Sequence, residues 1–116
     1  METKRTFENV ECNGENVRIE FVDKTQTFDC FKIEEIEAII FDDREIDISF
    51  GEYGNLYEAT QEDFDLLKRR LSTSKKFVAC GSNAMFNLDQ VVSFSKGSSK
   101  NSIEVECKHD LYKIQL

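Results

Sequence analysis

At 116 residues, with 40% hydrophobic and 33% charged side chains, the chain has the size and apolar content of one folded domain and is too apolar to be disordered. It has no apolar run of the about 20 residues that a membrane-spanning helix needs, and the basic pair Lys4-Arg5 leads into no signal-type stretch, so a cytoplasmic protein is expected. A net charge of −8 disfavours an acidic surface as partner.

In chain order, Asn13-Gly14 offers a tight turn before the alternating run Val17-Arg18-Ile19-Glu20-Phe21. A second apolar run, Ile36 to Phe41, is followed by Asp42-Asp43-Arg44-Glu45 and then Ile46-Asp47-Ile48, which reads as a hairpin with a charged tip. Gly51-Glu52-Tyr53-Gly54 turns the chain into Leu56-Tyr57-Glu58-Ala59. One helix is predicted from about 60 to 71. Thr60 and Asp63 have near-capping-box spacing, Phe64, Leu67 and Leu71 share a face, and Lys68, Arg69 and Arg70 sit where the helix dipole favours cations. Ser72-Thr73-Ser74 then connects to Phe77-Val78-Ala79-Cys80, and Lys96 to Lys100 forms the tip of a further hairpin ahead of Ile103 to Cys107 and Leu111 to Ile114.

These runs repeat. Phe31-Lys32-Ile33-Glu34-Glu35-Ile36 lines up with Phe86-Asn87-Leu88-Asp89-Gln90-Val91, Ile46 to Phe50 with Ile103 to Cys107, and Leu56 to Ala59 with Leu111 to Ile114. The expected fold is a strand-dominated α+β domain. Its antiparallel sheets come from two similar β units, about 15–72 and 75–116, with the helix near 60–71 between them. The expected core is Ile19, Phe21, Ile36, Ile39, Ile46, Ile48, Phe64, Leu67, Leu71, Val78, Leu88, Val91, Ile103 and Val105.

No chemistry-bearing motif accompanies this framework. Cys12, Cys30, Cys80 and Cys107 lie far apart without C-x-x-C spacing, which points to reduced thiols and to no metal site. His109, the single histidine, falls in the turn Lys108-His109-Asp110 with no nucleophile motif around it, and the five glycines form no phosphate loop. Neither an enzyme nor a cofactor is expected.

Charge carries more information. Residues 1–66 hold 19 acidic and 6 basic side chains, a balance of −13, while residues 67–116 hold 4 acidic and 9 basic, a balance of +5. Glu34, Glu35, Glu37, Asp42, Asp43, Glu45 and Asp47, with Tyr53 in its glycine-flanked loop, are the candidate partner-binding residues. The leading expectation is a non-enzymatic acidic module that occupies a basic protein surface, as small phage inhibitors and toxin-immunity proteins do. Such a basic surface is typical of a nucleic-acid-binding protein. The alternatives are a homo-oligomer that binds a small molecule between subunits, and a nucleic-acid-binding regulator that uses Lys68, Arg69, Arg70, Lys75 and Lys76, extended by Lys96 and Lys100.

Overall fold

Alternating apolar side chains on short runs between glycine- and asparagine-bearing turns give eleven strands among the described residues, 7–21 and 28–116, of a computed structural model. The N-terminal reading at Lys4-Arg5 lies outside these residues. Strands β1 (Phe7–Cys12), β2 (Asn16–Phe21) and β3 (Phe28–Lys32) form a first antiparallel sheet. A 3-10 turn, Ile33–Glu35, leads into the meander β4 (Ala38–Asp42), β5 (Glu45–Ser49) and β6 (Gly54–Glu58). Helix α1 (Gln61–Leu71) then precedes the hairpin β7 (Phe77–Cys80) and β8 (Ala84–Asn87). A second 3-10 turn, Leu88–Gln90, opens the last meander, β9 (Val91–Lys96), β10 (Ser102–Cys107) and β11 (Leu111–Gln115).

From β2 onwards the two halves share one element order, a strand pair (β2-β3, β7-β8), a 3-10 turn and a meander, while β1 and α1 occur in the first half alone. The two units are offset by one layer. The first meander and the second hairpin join in a central five-stranded sheet, β6-β5-β4-β8-β7, in which Ala38 faces Phe86, Ile39 faces Met85 and Ile40 faces Ala84. The first hairpin stays in the first sheet and the second meander forms a third, β11-β10-β9. Leu56 and Leu111 are not counterparts, because Asn55 lies opposite Ile48 and Tyr112 opposite Val105. The true equivalence is thus shifted by two residues, which preserves the side-chain face and explains why the apolar pattern matched.

Each face of the central sheet builds a core. Ile39, Ile46, Ile48, Tyr57 and Met85 pack with Val10, Val17, Ile19 and Phe21 of the first sheet and with Phe64, Leu67 and Leu71 of α1. Ala38, Ala84 and Phe86, on the other face, pack with Val105, Cys107 and Ile114 of the third sheet. Thr60 caps α1 through a complete capping box. Its hydroxyl accepts from the Asp63 N–H at 3.2 Å, and the Asp63 carboxylate accepts from the Thr60 N–H at 2.9 Å.

Ten of the expected core residues are buried, and Val78, Val91 and Ile103 are partly so. Leu88 is not. It is 45% exposed, whereas its counterpart Ile33 is buried against the first core.

Candidate functional site

The third sheet covers only part of the second face of the central sheet. Where β5 and β6 run on beyond it, the outward positions are Asp42 on β4, Glu45 and Asp47 on β5, and Leu56 and Glu58 on β6. Alternation explains the arrangement, since Ile46, Ile48 and Tyr57 turn to the first core and their neighbours must face out. Glu45 is directly opposite Asp42 on one side and Glu58 on the other, while Asp47 is opposite the exposed Leu56. Burial, and then the Glu45 charge, pushes the Asp47 carboxyl above its ordinary value. The ion pairs among the described residues are Arg18–Glu20, Lys76–Asp89 and His109–Glu37, so none neutralises this face.

Asp43 joins the same patch at the hairpin tip. It and Arg44 have φ values of 46° and 71°, the two left-handed residues of a tight primed-type turn. The Arg44 carbonyl accepts from the Ala59 N–H at 2.8 Å, which ties the tip to the start of α1.

The other expected site residues lie elsewhere. Glu34 and Glu35 are exposed on the first 3-10 turn, at the opposite end of β4, about 15 Å away at the rise of a strand. There they line an open groove with Phe50, Tyr53, Gln90 and His109. The groove is held from the second unit. Asn87, fully buried, donates to the Ile33 and Ile36 carbonyls at 3.2 and 2.8 Å, and Gln90 donates to the Glu34 carbonyl at 3.0 Å.

Glu37 is not a surface residue at all. It is 1% exposed; its carboxylate accepts from the His109 backbone N–H at 3.2 Å and from the Tyr112 hydroxyl at 2.9 Å, and it lies 3.1 Å from His109 Nδ1. The Tyr112 hydroxyl also lies 3.0 Å from Ser49 Oγ. Burial raises the Tyr112 hydroxyl pKa, the Ser49 bond lowers it, and the Glu37 carboxylate raises it further. Glu37 is thus the polar pin between the central and third sheets. Its sequence neighbours gave no sign of this, because the partners come from 72 and 75 residues away. Cys107 lies in the same region, its thiol pushed up to about 12, first by burial and then by the charges of Glu37 and Asp110 and by Cys80.

The basic residues do not form one patch. Arg70 donates its Nε–H to the Val10 carbonyl at 2.9 Å, and Lys76 pairs with Asp89 at 3.5 Å. Lys96 ends β9, and the 3-10 turn before that strand begins beside Lys76, the Leu88 N–H donating to the Lys76 carbonyl at 2.6 Å. At the rise of a strand, β9 puts about 20 Å of chain between that turn and Lys96. Sequence proximity does not bring the two clusters together.

No protein-family model matches the chain, and no curated protein does. Among solved structures, the LytTr DNA-binding domain of a methyl-accepting/DNA response regulator from Bacillus cereus is similar at 9% identity and a TM-score of 0.55, covering 80% of this chain and 82% of that one. What the chain shares with that domain is its fold.

Proposed function

We propose that the protein is a non-enzymatic binding module that holds a basic surface of a partner protein against the acidic face of β4, β5 and β6, in the manner of a small inhibitor or immunity-type protein. The observation that supports this most is the row Asp42, Glu45, Glu58. Like charges placed directly opposite on neighbouring strands destabilise a sheet, and none of the ion pairs among the described residues involves these three. A cationic partner removes that repulsion and is steered to the face by its charge. Leu56, exposed on the edge strand β6 opposite Asp47, adds an apolar contact beside the acidic row. The phosphate-binding surface of a nucleic-acid-binding protein has the complementary charge.

A second reading, direct binding of DNA, draws on the likeness to the LytTr domain. Fold does not transmit function, and a net charge of −8 opposes it. In this reading Lys68, Arg69, Lys75 and Lys76 make the phosphate contacts.

One experiment separates the two. The tagged protein is used to capture partners from nuclease-treated lysate across a salt series, beside a variant with Asp42, Asp43, Glu45 and Asp47 each changed to Lys, and both are titrated with labelled duplex DNA. The proposal expects a basic protein that the native chain retains, that salt releases and that the variant does not hold. Equal retention by the variant overturns it. Binding of duplex by the native chain with a steep salt dependence transfers the function to the second reading.

A further inference from the structure

Among the described residues, the one-layer offset of the two units leaves one open edge in the first sheet and one in the third. Inside the chain, the first strand of the first meander, β4, pairs with the second strand of the second hairpin, β8. Its counterpart in the second meander, β9, pairs only with β10, and the counterpart of β8 in the first hairpin, β3, pairs only with β2. Among the described residues both strands are thus open edges, and they have complementary places in the same repeat.

We infer that the protein assembles head to tail with copies of itself, β9 of one copy pairing antiparallel with β3 of the next as β4 pairs with β8 within the chain. The internal register carries over. Ala38 facing Phe86, Ile39 facing Met85 and Ile40 facing Ala84 become Ser93 facing Phe31, Phe94 facing Cys30 and Ser95 facing Asp29. The faces agree. Phe94 lies opposite Val105 on the side that faces its own central sheet, and Phe31 packs on the first core of its own molecule, just as Ile39 and Phe86 face opposite layers within the chain.

Exposure marks the missing neighbour. Ile39 is fully buried between β5 and β8, but its counterpart Phe94, paired on the β10 side alone, is 47% exposed, and Val92 and Phe28 are exposed as well. Leu88 shows the same loss relative to Ile33. Where Asn87 donates to the carbonyls of the first 3-10 turn, the next copy offers the exposed Lys32 ammonium to those of the second. The charge division, −13 over residues 1–66 and +5 over residues 67–116, favours this polarity over head-to-head or tail-to-tail contact. An interface of this type joins two different surfaces, so it propagates until a ring closes and otherwise stays open. It uses no residue of the acidic face, so it stands apart from the proposed partner.

The test is sedimentation velocity from low micromolar to submillimolar protein. The expected result is a series of dimers, trimers and larger species that grows with concentration. Phe41 donates to the Asn83 carbonyl at 2.8 Å and Asn87 to the Glu37 carbonyl at 3.1 Å, so alternate residues of β4 bond to β8, and by equivalence the Phe94 N–H points to the open edge. Phe94→Pro removes that donor without touching the ladder to β10, and shifts assembly to concentrations at least about tenfold higher. As a second variant, Phe94→Cys treated with oxidised glutathione links to Cys30 of the next copy and gives a covalent ladder, which disappears when Cys30→Ser is added. Cys30 alone gives at most a dimer. A monomer throughout the range, a dimer that persists in Phe94→Pro, or the absence of a Cys30-dependent ladder overturns the inference.

Discussion

Glu37 and Tyr112 meet at 2.9 Å in the interior, the hydroxyl donating to the carboxylate across the junction of the central and third sheets. Because the carboxylate accepts from the His109 backbone as well, its removal takes the acceptor from two part-buried donors and leaves the Tyr112 hydroxyl with its Ser49 contact alone. Glu37→Ala is expected to destabilise the fold by about 2–4 kcal/mol, and Glu37→Gln, which keeps the shape, by about 1–2 kcal/mol. Urea denaturation checks both values. Equal stability of Glu37→Ala and the native chain would show that the sheets are joined by apolar packing alone.

Asn87 is a second buried polar pin, which joins the end of β8 to the first 3-10 turn. Its amide donates to two carbonyls, and its Oδ1 accepts from the Asp89 N–H at 3.0 Å. Asn87→Ala is expected to cost about 2–4 kcal/mol, with amide exchange accelerating in the first 3-10 turn, where the carbonyls lose their donors.

The acidic face sets an opposite expectation. Glu45→Gln relieves two like-charge pairs and is expected to raise stability by up to about 1 kcal/mol at neutral pH and low salt, with the gain shrinking as salt rises. Thermal melts at two ionic strengths measure it.

The pH dependence has a definite sign at Asp47. Its carboxyl binds a proton more readily in the folded chain than at the ordinary value of 3.8, so folding loses stability as pH rises from there through the raised pKa. Asp47→Asn is therefore expected to be the more stable protein at neutral pH, the advantage vanishing below pH 3.8, where both states of the native chain are protonated. A constant difference across acid pH would assign the effect to packing instead.

Thiol reactivity reports the layers. Cys30 is exposed and is expected to react at once with a disulfide reagent. Cys80 and Cys107, buried and with thiols pushed up by burial, should react only on unfolding. Counting thiols with time, before and after denaturant, distinguishes the two classes.

Local signals in the sequence determined the strands, the turns and α1, because side-chain alternation, left-handed turn residues and the Thr60–Asp63 cap act over a few residues. They also determined that two units share one pattern and that Asp42, Asp43, Glu45 and Asp47 belong to one charged hairpin. Tertiary structure alone decided that the units are offset by a layer, which buries Glu37 under Tyr112, separates Glu34 and Glu35 from the acidic face, and leaves Leu88 exposed where Ile33 is covered. The reason is physical. Burial of a polar group depends on donors brought from a distant strand, and equivalent 3-10 turns have different surroundings, so that Ile33 is covered by the first core and Leu88 is left exposed.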